Sequence, residues 1–285
     1  MNRKESLIYL NEKGQSIEFS LWSPFFVNSI EGIDGLKNLI YTSKGLGQDG
    51  EMVIGKTLNM RNITIQGSIL KEKENNRMKL ITVFNPKLKG KLIYKNQHTL
   101  KYIECEVEIA PSITKDKVPT FYLTLLCGNP FWRDINETKE DVAIWRGVFE
   151  FPFELSEDGI ELGYREPSLI VNVFNKGDVT CGMRIQFKAL ATVVNPRLFN
   201  VNTREFFKIK RTMEAGEIIT VTTHFQNKRV EINKNGVILN AFNWIDLEST
   251  FLQLDVGDNL LRYDADEGID NLEVSIYHTP QYLGV

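Results

Sequence analysis

Glu104, Glu106 and Glu108 alternate with Ile103, Cys105, Val107 and Ile109 along Lys101–Ile109. Carboxylates at i and i+2 of a strand stand ~7 Å apart, a separation within range for acid and base roles at a glycosidic bond. That chemistry also needs an aromatic platform or a neighbouring acid to hold one carboxyl protonated, and nothing around the row supplies either. The row therefore reads as a solvated or subunit-facing strand face. Nucleophilic catalysis would have to recruit one of three histidines, His98 in a polar turn, His224 at the end of a Thr-rich strand or His278 before the C-terminal proline. None is accompanied by a nucleophile elbow or a cysteine-protease signature. Cys105, Cys127 and Cys181 are scattered and form no CxxC pair, so they read as small core hydrophobes rather than as a disulfide framework or zinc site. Gly45-Leu-Gly-Gln-Asp-Gly50 lacks the Gly-Lys-Ser/Thr ending of a phosphate loop and reads as a turn. The expectation is no catalytic, cofactor-binding or metal-binding residue.

Asn195-Pro-Arg197 invites a sugar-binding reading, because galectins use His-x-Asn-Pro-Arg with a downstream Trp-Gly-x-Glu-x-Arg. Here Val193 takes the histidine position, and Trp244 is followed by Ile-Asp-Leu-Glu248, so the sugar-contacting set is broken. Exposed aromatics on a β-sandwich can still stack on sugar rings. Trp22, Trp132, Trp145 and Trp244 are each expected in a core.

The elements that carry these residues are mostly strands. Phe121–Leu126 repeats the alternation of Lys101–Ile109 across a Pro-bounded loop, which makes the two segments candidate antiparallel neighbours. Further strands are expected over Glu5–Leu10, Ile17–Leu21 and Met60–Leu70, with turns and loops over Gly32–Gly50. Met78, Leu80, Ile81 and Phe84 recur at three- and four-residue spacing before Asn85-Pro86, which predicts the one substantial helix over Glu72–Phe84. The polar run Arg133–Asp141 carries no apolar period and is placed as a linker after Phe131-Trp132, dividing a domain of residues 1–136 from one of 137–285. Short strands follow over Val142–Glu150, Ser168–Phe174, Cys181–Thr192, Phe206–Lys210, Glu217–Thr223, Arg229–Asn233, Phe251–Leu254, Asn259–Tyr263 and Leu272–Tyr277. Turn signals such as Asn233-Lys-Asn-Gly236 separate them, as in a jelly-roll sandwich.

The chain has 285 residues, enough for two domains, and 34 basic against 37 acidic side chains give a net charge of -3. Such a balance provides no field for drawing in nucleic acid or an anionic membrane, so neither is expected as a partner. No apolar run approaches a transmembrane span and no signal-peptide core follows the N-terminus, which reads as a soluble, cytoplasmically made protein.

The order of several short motifs resembles the distal tail protein (Dit) family of siphophages of Gram-positive bacteria, over nearly the whole chain. The motifs are Gly32-Ile-Asp-Gly35, Gly47-Gln-Asp-Gly-Glu51, Arg61-Asn-Ile-Thr-Ile-Gln-Gly67, the single helix closing on Phe84-Asn-Pro86, Cys127-Gly-Asn-Pro-Phe-Trp132, Asn175-Lys-Gly-Asp178, Asn195-Pro196, Gly257-Asp-Asn259 and Tyr277 to Tyr282-Leu-Gly284. The resemblance implies a mainly β protein, with an N-terminal β-domain carrying one helix and a C-terminal galectin-like, jelly-roll sandwich. It also implies a non-enzymatic hub at the virion tail tip, in which six copies form a ring with an open lumen for DNA. Its partners would be the major tail tube protein, the tail-tip or tail-associated lysin protein and receptor-binding proteins. The alternative is a carbohydrate-binding module that recognises host cell-wall polysaccharide. Extended strands at Ile17–Leu21 and Tyr102–Ile109 are expected to need partners or cover.

Overall fold

The computed structural model describes residues 5–143, 145–147, 163–165 and 170–285. Residues 144 and 148–150 of the strand expected over Val142–Glu150 lie outside these residues, as do the Trp145 side chain and the first two residues of the strand expected over Ser168–Phe174. Mostly β, the chain divides into two units, Met1–Ile135 with Gln281–Val285, and Asn136–Pro280.

In the first unit the strands are β1 (Ser6–Asn11), β2 (Ser16–Ser20), β3 (Phe25–Glu31), β4 (Asn38–Ser43), β5 (Met52–Leu58) and β6 (Arg61–Ile69). Helix α1 (Lys73–Val83) follows, then β7 (Lys89–Lys95), β8 (Leu100–Ile113), β9 (Thr120–Cys127) and β10 (Trp132–Asp134). The main sheet runs β2-β1-β7-β8-β9-β6-β3, with β10 against β8. Its end strands β2 and β3 are consecutive in the chain and lie against each other, so the sheet curls towards closure around its core. Alternation explains which side chains enter that core: Leu7 and Tyr9 from β1, Ile17 and Phe19 from β2, Ile63 and Ile65 from β6. Tyr9 stacks on Phe84 with ring centroids 4.1 Å apart, and Phe19 packs on Phe121 at 5.8 Å. The Tyr9 ring can lie there because Gly90 is bare: a Cβ at that position would meet the ring at 2.5 Å. Helix α1 packs on β2, β6 and β8. Only part of its expected apolar set turns inward, for Leu80 and Phe84 are buried, as is the unexpected Val83, while Met78 and Ile81 are exposed.

The second unit contains β11 (Thr138–Ala143), β12 (Trp145–Gly147), β13 (Gly163–Arg165), β14 (Ile170–Asn175), β15 (Cys181–Ala189), β16 (Val193–Val194) and β17 (Arg197–Asn200). It continues with β18 (Phe206–Lys208), β19 (Thr212–Met213), β20 (Ile218–His224), β21 (Asn227–Lys234), β22 (Val237–Asn240), β23 (Gln253–Leu254), β24 (Gly257–Asp264) and β25 (Leu272–His278). Two sheets, β11-β25-β15-β20-β21-β22 and β14-β24-β17-β18, enclose one apolar core that includes Met183, Phe187, Leu198, Phe207 and Leu261. This is the expected β-sandwich. The last strand, β26 (Gln281–Tyr282), pairs with β10 in the first unit.

Several local expectations are corrected. Arg133–Asp141, read as an irregular linker, is largely strand: β10 takes its first two residues and β11 its last four. The missing apolar period has a physical cause, because β11 is a sheet edge whose Lys139 and Asp141 pair with each other at 2.7 Å rather than packing inward. Gly32–Gly50, read as loops, contains β4. Strand β8 is no edge, since it lies between β7 and β9, and a bulge after Val107 turns Ile109 outward. Trp22 stands 76% exposed on the β2–β3 turn, while Trp132 is in the core as expected. All three cysteines are buried.

Candidate assembly surface

The β4–β5 pair forms a sheet of its own. Asn59 N–H donates to the Lys37 carbonyl at 3.0 Å and closes its base, and the Gly45–Gly50 turn forms its tip. A bulge opposite Tyr41 and Thr42 leaves Ile54 out of the ladder, and Tyr41 lays its ring against Gly55. Every residue of β4 is exposed, and Met52, Val53 and Ile54 on β5 are each more than half exposed, at 64%, 52% and 62%. An isolated two-stranded hairpin is marginal at best in water, and this one presents aliphatic side chains on both of its faces. Such a surface is suited to being covered by another protein. Its signal in the sequence is the pair of apolar triplets Leu39-Ile40-Tyr41 and Met52-Val53-Ile54 on either side of a glycine-rich turn, a pattern masked by the number of glycines around it.

Arg61 fixes the root of this hairpin. The residue is 3% exposed, and its guanidinium has no carboxylate in hydrogen-bond contact but donates to four backbone carbonyls. Nε reaches Pro130 at 2.8 Å, Nη1 reaches Gly32 at 2.7 Å and Ile33 at 2.5 Å, and Nη2 reaches Leu283 at 2.6 Å. Trp132 Nε1–H adds a bond to the Ile33 carbonyl at 3.1 Å. Burial pulls the guanidinium's pKa below its ordinary value while the Asp34 carboxylate acts the other way, and it stays charged at any working pH. Gly32 is required on two counts, since it adopts φ +83 and a Cβ there would stand 1.9 Å from the Asn62 carbonyl oxygen. Motifs that are far apart in sequence, Gly32-Ile-Asp-Gly35, Arg61, the Pro130–Trp132 junction and Tyr282-Leu-Gly284, thus converge on one cation. A planar fork of donors suits this task as an ammonium would not.

The other sequence candidates lie elsewhere. Glu104, Glu106 and Glu108 are exposed on the outer face of β8; Arg133 stands 3.7 Å from Glu104, Asn62 donates to Glu108 at 3.0 Å, and Lys89 is the register neighbour of Glu106. In the second unit Asn195 donates to Asp266 at 2.8 Å and Arg197 pairs with Asp264, so both motif side chains are engaged by carboxylates of their own unit. Trp244 is half-buried under the Arg211 guanidinium, which sits 3.9 Å above its ring. His98 is exposed, His224 half-buried and His278 buried. Among the described residues no group of three His, Cys, Asp or Glu side chains is placed to hold a metal ion, and no helix is long and apolar enough to cross a membrane.

Residues 12–127 match the family model for the phage tail protein RIFT-related domain, and residues 176–282 match that for the siphovirus-type tail component, C-terminal domain. The fold is similar to the crystal structure of phage SPP1 Dit (gp 19.1), described as a paradigm of the hub adsorption apparatus in phages infecting Gram-positive bacteria. That likeness has a TM-score of 0.71 at 12% identity and covers 97% of this chain and 99% of that one. It is also similar to a chain of the phage p2 baseplate in its activated conformation with Ca, with a TM-score of 0.57 at 13% identity over 99% of each chain. A search of curated protein sequences finds no match.

Proposed function

Because the chain belongs to the distal tail protein family of siphophages, we propose that it is the structural hub of a baseplate, six copies of which form a ring around a channel for DNA. The observation that carries the reading is the β4–β5 hairpin, an exposed apolar arm rooted by Arg61 in the first unit. A patch that packs on a different patch of the next copy is a heterologous contact, and heterologous contacts that close generate rings. One end of the ring would meet the tail tube protein and the other the tail-tip or tail-associated lysin protein, with the second unit available to receptor-binding proteins. The role is structural rather than enzymatic. Its support is that the three carboxylates of β8 are exposed beside Arg133, Asn62 and Lys89, outside any cleft that would enclose a substrate. The carbohydrate-binding alternative draws less support, since Asn195 and Arg197 are already occupied by Asp266 and Asp264.

Native mass spectrometry and electron microscopy of the full chain, alone and with its tail tube protein, test the proposal. Six copies in a closed ring are expected. A ring of another order, or a chain that stays monomeric even with the tube protein present, would overturn it.

A further inference from the structure

Cys105 on β8 and Cys127 at the end of β9 are buried, at 3% and 0% exposure. The β8–β9 register ends with Glu106 opposite Leu126, and continuing it by one step would place Cys105 across from Cys127. Facing residues of antiparallel strands stand ~4.5–5.5 Å apart at Cα, inside the ~4.4–6.8 Å that a disulfide bridges. Their Cβ atoms, ~4.5–5.5 Å apart in such pairs, lie slightly beyond the ~3.5–4.5 Å that the bond prefers. Closure would draw the strands together and leave a strained bond that is readily reduced. On its other flank Cys127 has the buried Arg61 as register partner. Cys105 instead sits between Glu104 and Glu106 in the chain.

We propose that Cys105 and Cys127 form a reversible redox pair, a dithiol under reducing conditions and a cross-strand disulfide once a small disulfide oxidant such as glutathione disulfide acts on them. Cys127, losing its proton, attacks the oxidant to give a mixed disulfide and release one glutathione. Cys105, losing its proton in turn, attacks the Cys127 sulfur and releases the second glutathione. Two protein thiols are oxidised and one glutathione disulfide is reduced to two thiols. Because both sulfurs are buried, the oxidant enters through local opening, and the end of the β8–β9 ladder is where such opening starts. Cys181, buried in the second unit with its thiol pushed up to about 12 by burial, has no cysteine partner and serves as an internal reference.

The full chain is incubated with oxidised glutathione in two ways, folded throughout or unfolded in denaturant and refolded in the same buffer, and then assayed by thiol titration and peptide mapping. Both routes are expected to reduce three free thiols to one, with Cys105 and Cys127 in one linked peptide and full recovery in dithiothreitol. The closed form should raise the first unit's unfolding midpoint by roughly 5–10 °C. C105S and C127S chains should form no internal link. Three free thiols after both routes, a glutathione adduct on Cys127 that Cys105 does not resolve, or a link that includes Cys181 would overturn the proposal.

Discussion

Arg61 donates to the carbonyl of Leu283 at 2.6 Å, so the strand that follows the hairpin and the last residues of the chain share one hydrogen-bonded centre. The same guanidinium holds Gly32 and Ile33, so we expect the hairpin root and the C-terminus to be energetically coupled. R61M should lower the first unit's stability by about 2–4 kcal/mol, because it leaves carbonyls buried and unpaired. Deleting residues 281–285 should cost part of the same energy. In a double-mutant cycle by chemical denaturation the two changes should fall short of additivity by about 1 kcal/mol or more; full additivity would show that the two are not coupled.

Replacing residues 38–58 by a short Gly-Ser turn removes a segment with almost no buried side chains. The unfolding midpoint of the shortened chain should stay within roughly 2 °C of the parent, since exposed residues contribute little to stability. Sedimentation velocity should at the same time show complete loss of ring assembly. A shortened chain that still forms rings would place the interface elsewhere.

The unit Asn136–Pro280 closes its own core, and we expect it to fold as an independent domain. Residues 136–280 expressed alone should unfold cooperatively in calorimetry. A version ending at Val285 should gain no stability from its last five residues, because β26 pairs with β10 in the first unit. Non-cooperative unfolding of both versions would show that the second unit depends on the first.

The imidazole of His278 is buried at the end of β25, and burial lowers its pKa from 6.5 against the raising influence of the Phe174 backbone and Glu140. A histidine with a depressed folded-state pKa binds fewer protons when folded than when unfolded. Its contribution is therefore fully present above the unfolded value of ~6.5 and is lost as pH falls through the folded value. The second unit's midpoint should fall on acidification from pH 7.5 to 5.5, with a slope of up to ~1.4 kcal/mol per pH unit from this one group. H278L should flatten that slope, which thermal melts across the range would measure; an unchanged slope would assign the pH dependence to other groups.

Part of the fold is legible in the sequence where a strand has one buried face and its side-chain period of two appears as alternation, although β3, β7 and β17 also bury alternate residues and are not expected as strands. Lys101–Ile109 and Phe121–Leu126 are neighbours for that reason, and Phe84-Asn-Pro86 marks the helix end because proline restrains the residue before it. The hairpin, β11 and β22 were illegible as strands because none of them buries a regular face: β4 and β22 are exposed throughout, and the edge strand β11 carries paired charges. Motif order in the sequence was sufficient to suggest the family, yet it could not reveal why those motifs recur together. Only the tertiary structure brings Gly32, Pro130 and Leu283 within reach of Arg61, since hydrogen bonds from one guanidinium to loops 28 to 222 residues away depend on how the sheet closes and leave no periodic trace along the chain. The same holds for Cys105 and Cys127, which look like unrelated core residues in sequence and are brought to neighbouring positions at the end of the β8–β9 register.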